Sequence, residues 1–331
     1  MKHRHLSLQE RYYIEIELKK GSSQNAIAKA LNRQQGTISK EISRNKGKRG
    51  YRHKQAHKLA NKRYQEKPKS VKMTDEVKQL INRELEAHQG SPEQIAGRLK
   101  LQNKISLHHE TIYRYIRQDK KDGGELYLNL RRKSKPYRKR YGSTTNSSHG
   151  IPNRVDIDKR PEVANNRERL GDWEADTIIG KNHKGAILTL DERKSKLRLA
   201  LPLVGKFAEL TKDGMIELLK PFESVVKSIT FDNGKEFAKH ETVADILGCD
   251  TYFAKPYHSW ERGQNENANG LLRQYFPKGM ELVDIARESV FDAIDRLNNR
   301  PKKCLGFKTP YEVFRELSGF DARILIQGIL L

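Results

Sequence analysis

The sequence predicts an all-α, strongly basic amino-terminal half followed by an α/β domain with a mixed central sheet. Three observations carry that expectation. Apolar residues recur at helical spacing from the amino terminus to about residue 118. From about residue 161, short β-prone runs succeed one another and then alternate with helical ones. The charge divides near the same place. Residues 1–150 hold 36 basic and 14 acidic side chains, a net of +22, whereas residues 151–331 hold 29 and 28, a net of +1. A split of this kind points to a polyanion-binding arm joined to an ordinary globular domain. The helical periodicity disfavours a freely disordered polybasic chain.

The 331 residues suffice for two or three domains. Cys249 and Cys304 are too few for a disulfide framework or a four-cysteine zinc site, and fit a reducing compartment. The run from Met1 to Tyr13 is charged, so no secretory signal is expected. No stretch approaches the ~20 apolar residues that span a bilayer, and no membrane partner is expected. The apolar tail from Ile324 to Leu331 reads as a packed terminus or a subunit contact.

Ser7 with Glu10 three residues on is a capping box, so a helix is predicted over 7–19, stopped by Gly21. Ser23 caps a second helix with Ile27, Ala28 and Leu31 on one face. A third runs from near Thr37 to about Arg44, with Ile38 and Ile42 at i, i+4. This is the layout of a helix-turn-helix unit, whose third helix reads DNA. Its outward side chains are expected to be Gln35, Thr37, Ser39, Lys40, Glu41 and Arg44, suitable donors and acceptors for base edges and phosphates. The bland alternative is a three-helix bundle with a solvated polar face, which the surrounding charge disfavours. Lys46 to Lys69 is densely basic and helix-compatible, suited to tracking phosphates.

A second helical unit is predicted from about Thr74 to Gln118. Val77, Leu80, Ile81 and Leu85 form one face, Ser91-Pro92-Glu93 starts a helix, and Thr111 to Ile116 forms another. Arg114 and Arg117 near its end are candidate DNA contacts. His108, His109 and Glu110 are adjacent in sequence and do not converge on one ion. Arg131 to Arg140 holds seven basic residues in ten, and a Ser, Thr, Asn and Gly run follows to residue 150, which reads as a linker.

In the carboxyl-terminal domain, strands are predicted over Trp173–Ile179, Ala186–Asp191, Leu197–Leu203, Val225–Phe231 and Thr251–Ala254. Helices are predicted over Ala208–Leu219, Phe237–Leu247 and about Gln264–Tyr275. Asp176 lies in the first strand, Asp232 at the carboxyl end of the fourth, and Glu266 in the late helix. If the two strands are neighbours, both aspartates face that helix. Three such carboxylates suit hard cations, Mg²⁺ or Mn²⁺. Two ions about 3.5–4 Å apart activate a hydroxyl nucleophile and stabilise a phosphodiester's leaving oxygen. Taken singly, Asp176 reads more simply as a strand end and Asp232 as a turn. Asp172, Glu174 and Glu236 compete, and spacing does not exclude them.

The runs Gly171-Asp172-Trp173-Glu174-Ala175-Asp176, Phe231-Asp232-Asn233-Gly234-Lys235-Glu236-Phe237 and Ser259-Trp260-Glu261-Arg262-Gly263-Gln264-Asn265-Glu266-Asn267 together resemble the DDE transposases of bacterial insertion sequences, in the branch named for insertion sequence thirty. Asp232 and Glu266 have 33 residues between them, the separation typical of that branch and of retroviral integrases. Leu271 to Lys278, Ser91 to Leu99 and Asn299-Arg300-Pro301 continue the likeness, which runs from the first helix-turn-helix to about Phe314. The resemblance implies a ribonuclease-H-like catalytic domain with Asp176, Asp232 and Glu266 as a triad for two Mg²⁺ ions, Mn²⁺ substituting. It implies helix-turn-helix binding to terminal inverted repeats. Pairing two element ends on double-stranded DNA and joining them to a target requires a homo-oligomer, at least a dimer. It places the protein in the bacterial cytoplasm, at the nucleoid. Asp172, Ala175 and Asp191 depart from the branch pattern, Asp191 standing where the second strand usually carries an apolar residue.

Arg273, two turns after Glu266, shares its face and is expected to hold phosphate beside the metals. His258 and Lys278 are weaker candidates for DNA contact. Asn233 is either a bridge to metal or DNA or a plain turn. Trp173 and Trp260 read as core or loop anchors, and Asn265 and Asn267 as groups flanking the glutamate. The expected division is a helix-turn-helix over 1–50, a basic helical linker over 51–72, a second helix-turn-helix over 73–120, a basic flexible linker over 121–160, and the catalytic domain with carboxyl-terminal helices over 161–331. The chemistry expected is cleavage by water followed by strand transfer, with no serine, tyrosine or cysteine nucleophile. A DNA-binding regulator and a nuclease that cuts without joining are the other classes kept open.

Overall fold

The computed structural model describes residues 5–66, 72–131, 151–255 and 263–330, with positions 263, 264, 266 and 330 described by their backbone alone. Contacts divide the chain into two compact units, Met1–Lys72 and Met73–Leu331.

In the first unit, Ser7 and Glu10 form the expected capping box at the start of α1 (Leu8–Lys19). Ser23 caps α2 (Gln24–Ala30), and α3 (Gln35–Asn45) follows. Ile14, Ile27, Ala28 and Ile38 close a small core between them. A short hairpin, β1 (Lys46–Gly47) and β2 (Gly50–Tyr51), then leads to α4 (His53–Glu66). The stretch expected to be a linker thus folds back onto the bundle. Tyr51 and Ala56 are buried in the same core. The Glu15 carboxylate accepts from the His53 backbone N–H (2.7 Å) and lies 2.6 Å from its ring Nδ1, tying the first turn of α4 to α1. Lys19 and these His53 contacts hold Glu15 at about 2. The helix itself was expected; its docking was not, because only one small apolar residue, Ala56, marks the face that seats it.

The second unit begins with α5 (Asp75–His88), α6 (Pro92–Asn103) and α7 (His109–Lys121), capped by Thr74, Ser91 and His108. Val77, Ile81, Leu85, Ile95, Leu99, Ile112 and Ile116 form their core, closed from below by Leu126 on a 3-10 turn. His108 is used in the cap, its ring accepting from the Glu110 N–H at 3.2 Å.

After the short α8 (Glu162–Asn165) comes a five-stranded sheet. Its strands are β3 (Asp172–Ile179), β4 (Ala186–Glu192), β5 (Arg198–Leu203), β6 (Ser228–Phe231) and β7 (Asp250–Phe253), in the order β5-β4-β3-β6-β7. The first three are antiparallel neighbours, and β3–β6 and β6–β7 are parallel. This is a ribonuclease-H-like mixed sheet. The strand expected from Val225 starts at Ser228, because a 3-10 turn begun by Pro221 extends α9 (Ala208–Leu219). Alternation splits β3 between two faces. Trp173 and Ala175 pack into the larger core with α9, α10 (His240–Leu247), α13 (Pro310–Ser318) and α14 (Ala322–Leu330). Ile178 packs into the other core, against α11 (Gly263–Leu272) and α12 (Arg287–Asn298).

The helical bundle of α5–α7 is seated on the carboxyl-terminal helices. Arg98 forks onto Glu312 (Nη1 to Oε2, 2.8 Å), and the Arg300 guanidinium donates to the His88 carbonyl (2.6 Å). The Ser91–Leu99 and Asn299–Pro301 runs therefore meet in space. At the centre, Gly97 lies against the Phe307 ring, where an added Cβ would stand 2.1 Å from a ring carbon. Phe307 itself is held at φ 66°, the left-handed region unfavourable for an aromatic residue. Gly97→Ala should lower stability by about 1–3 kcal/mol through overpacking. Urea denaturation measures this, and a midpoint equal to wild type would show that the ring swings aside at no cost.

Candidate active site

The site is built on the length of α11 laid along β3. With its amide turned to donate, Asn265 reaches Glu174 Oε2 at 2.9 Å and Asp191 Oδ2 at 3.2 Å. One turn further, Asn269 Nδ2 donates to Asp176 Oδ2 at 2.8 Å. Leu272 packs with Ile178, and Arg273 donates to the Ile179 carbonyl at 2.8 Å. Helix and strand advance together because eight helical residues rise about 12 Å and five strand residues about 16 Å. The backbone of Glu266 is bracketed by these contacts, one turn before Asn269.

Asn269 is held from behind. Its Oδ1 accepts from Arg198 Nη2 at 2.9 Å. Arg198 forks onto Asp191 directly across the β4–β5 pairing, and Asn298 clamps the Arg198 backbone through both amide atoms (2.9 and 2.8 Å). Asp191, which departs from the branch pattern, is thus explained: it neutralises a buried arginine and accepts from Asn265.

The same geometry sorts the competing acids. Asp172 is paired with Arg169 (2.9 Å) and accepts from Ser228 Oγ (2.6 Å). Glu174 is paired with the buried Arg193. Glu236 is paired with Lys206 (2.7 Å) and accepts from Thr177 Oγ1 (3.0 Å). All three serve the framework. Asp176 instead accepts from the Thr177 N–H and the Asn269 amide, and Asp232 from the Gly234 N–H at 2.8 Å. β3 and β6 pair through Glu174↔Thr230. That pairing is the last of the register, two residues before both Asp176 and Asp232. Among the described residues no three metal-ligating side chains cluster, and the Glu266 side chain is outside that set.

Other candidates divide. Arg273 spends its guanidinium on main-chain carbonyls of Ile179 and Phe276 (2.8 and 3.4 Å), and burial pushes it below its ordinary pKa. It pins α11 to the end of β3. Asn233 is used on both sides within a turn, donating to the Ala254 carbonyl (2.9 Å) and accepting from Arg154. Trp173 is fully buried against Phe222. His258 and Trp260 lie outside the described residues. On α3, Gln35, Lys40 and Arg44 are exposed, and Thr37 and Ser39 half-buried. Glu41, expected to face outward, instead turns inward to accept from Arg11 Nε (2.8 Å) and Tyr51 Oη (3.1 Å). The buried Arg11 needs a counter-charge, and that need overrides the outward helical position. Arg114, Arg117 and Lys278 are exposed, Arg117 pairing with Glu110 at 2.8 Å. Sequence reasoning passed over Asn269; its position three residues after Glu266, on the same helical face, was the available signal.

Residues 2–45 match the family model described as a helix-turn-helix domain. Over the whole chain, the protein is 43% identical to the transposase for insertion sequence element IS4351 of Bacteroides fragilis, covering 95% of this chain and 96% of that one. It is 36% identical to transposase InsI for insertion sequence element IS30C of Escherichia coli K12, covering 93% and 83%. The transposase for insertion sequence element IS1086 of Cupriavidus metallidurans is 32% identical, covering 96% of each chain. Among solved structures, the catalytic core domain of BIV integrase aligns at 24% identity over 44% of this chain and 93% of that one, with a TM-score of 0.36, and the fold assignment rests on the strand order instead. The chain belongs to the IS30 family of insertion-sequence transposases.

The framework acids carry a stability prediction. Arg193→Met leaves Glu174 charged and buried without its cation, and should cost about 3–5 kcal/mol. Changing both, Glu174→Leu with Arg193→Met, should restore most of that. Denaturation midpoints of the two variants decide it: equal losses would mean that the pair contributes nothing jointly.

Proposed function

We propose that this transposase cuts and joins DNA at a centre formed by Asp176, Asp232 and Glu266, which hold two divalent cations, Mg²⁺ or in its place Mn²⁺. The observation that supports the reading is that β3 and β6 are parallel neighbours paired up to Glu174↔Thr230, two residues short of Asp176 and Asp232, while Asn269 of the helix that bears Glu266 bonds to Asp176. The donor set is carboxylate oxygen, which fits hard cations. The neighbouring acids Asp172, Glu174 and Glu236 are paired with Arg169, Arg193 and Lys206. When bound, the ions supply Lewis-acid neutralisation of the phosphodiester and a lowered pKa for the attacking hydroxyl.

The chain's own contribution is placement. Asn269 holds one Asp176 oxygen, and Thr177 N–H holds the other, so the carboxylate does not rotate. Gly234 N–H does the same for Asp232. Arg273 fixes the height of α11 on β3. Water attacks the phosphodiester at the element end, the P–O3′ bond breaks, and the freed 3′-hydroxyl attacks a second phosphodiester in line. No covalent protein intermediate forms.

The helix-turn-helix domain binds DNA, and in this reading it recognises the element's terminal inverted repeats through Gln35, Lys40 and Arg44 on α3. Arg114, Arg117 and Lys278 add exposed cations for phosphate contact, with the target DNA as a second duplex partner. Two ends require at least two protein copies. No helix among the described residues is long and apolar enough to cross a membrane, and a DNA substrate places the protein at the bacterial nucleoid in the cytoplasm.

Wild type and Asp232→Asn, supplied with a plasmid carrying the gene's own flanks, test the reading. A Mg²⁺-dependent junction of flank ends should form with wild type, and the variant should lose about a thousandfold or more while still binding the flanks. Product from both would place the chemistry elsewhere, and specific binding without product from either would make the protein a regulator. Asn269→Ala, which frees Asp176 from its holder, should weaken Mg²⁺ binding or activity by about 10–100-fold. Titration of activity against Mg²⁺ reads this, and an unchanged midpoint and maximum would remove Asn269 from the site.

A further inference from the structure

The face of α11 opposite the acids lines a separate cleft. Asn267 and Leu271, at i and i+4, form one wall, while α6, α7 and the loop after α12 form the other, around a volume of about 790 Å³. Its chemistry is one-sided. Arg131, Arg300 and Lys302 line it, and none has an ion-pair partner among the described residues. Among the described residues, the Arg300 side chain bonds to neutral groups: the His88 carbonyl, Tyr275 Oη and, at 3.4 Å each, the Gln274 and Gln89 side-chain oxygens. The one carboxylate among the described lining residues, Glu93, is taken by Lys303 at 2.7 Å.

These cations are held together against their mutual repulsion. Burial lowers the pKa of Arg300, and the Arg131 and Arg296 guanidiniums lower it further. Burial likewise lowers Lys302; Asp191 opposes that shift, and Arg198 and Arg300 add to it. Arg131 lies against α11, its Nη2 2.8 Å from where a Cβ on Gly270 would stand, so a glycine is what admits it. Arg300 is buried, Lys302 half-buried and Arg131 exposed, so an anion entering the cleft would meet and offset their joint charge.

We propose that this cleft binds the phosphodiester backbone of a single DNA strand beside the catalytic centre, an inference that rests on the transposase reading above. Its volume is that of a pocket for a drug-sized ligand, which takes a few nucleotides and excludes a duplex. Tyr113 and Tyr127 on the same wall offer aromatic surface to sugars and bases. The bundle of α5–α7 then acts as a strand clamp fixed to the core.

The cleft carries its own probe. Cys304 lines it and is exposed, whereas Cys249 is half-buried and its thiol is pushed up to about 12 by burial and Asp250. Maleimide therefore labels Cys304 in the full chain. Without metal, a saturating short oligothymidylate should slow that labelling about tenfold or more. Arg131→Gln with Lys302→Gln should flatten the logarithmic salt dependence of oligothymidylate binding by about 1.4, at about 0.7 per lost phosphate contact. Lys302→Arg should keep the slope, and thermal melting of each variant checks folding. Unchanged Cys304 labelling with oligothymidylate bound, as judged by anisotropy, overturns the proposal, and so does equal protection by a duplex. If the double variant fails to fold, protection in the wild-type chain decides alone. Failure of the transposase reading would instead appear as absent junction product, a separate measurement.

Discussion

The polar seam between α11 and the strands beneath it is the constraint on which the rest of the catalytic unit depends. In the proposed centre, a helix that bears one carboxylate lies over a strand that bears another, and their separation must not drift. Apolar packing alone would allow sliding, since methyl groups have no preferred partner. Here each step along the helix is tied to a directional bond: Asn265 to Glu174 and Asp191, Asn269 to Asp176, Arg273 to a strand carbonyl. The bonds need acids in the sheet, and the acids need Arg193 and Arg198. A buried ionic network of this sort adds little net stability and much specificity of register.

That constraint also explains why the bundle of α5–α7 sits where it does. Its contacts with the core converge on the segment after α12, and α12 carries Asn298, which clamps Arg198. The clamp and the Asp176 holder meet at Arg198, which Asn298 grips by its backbone and which donates to Asn269. Arg98 on Glu312 illustrates the energetics. Burial raises that carboxyl's pKa, and the Arg98 fork with the Thr309 N–H outweighs it, leaving it below its ordinary value. The same glutamate closes the capping box of α13, so docking and helix start share one side chain.

Most of the architecture was legible in the sequence because its signals are local. Ser7, Ser23, Thr74 and Ser91 start helices where their spacing says. Alternation placed all five strands to within a few residues. What the sequence hid was pairing at a distance. Whether Asp176 stands beside Asp232 depends on strand order, which periodicity does not encode. Glu174 looked like a rival and Asp191 like a departure because local spacing does not show that Arg193 and Arg198 pair with them. Glu41 looked outward-facing because the buried Arg11 that demands it lies 30 residues away. Arg273 was expected to reach phosphate from a helix running to about Tyr275, but α11 ends at Leu272 and two carbonyls claim the Arg273 donors.

Each of the two units closes its own hydrophobic core, Ile14, Ile27 and Ile38 in one and the sheet with its helices in the other. The folded hairpin and α4 complete the first unit, so its boundary falls after the helix and not before it. A cut at residue 50 would strip Ala56 and Tyr51 from that core and unravel the reader of DNA. A cut near residue 72 leaves both pieces whole. Seen this way, the amino-terminal unit is a self-contained cassette for gripping DNA, with its own core and its own boundary.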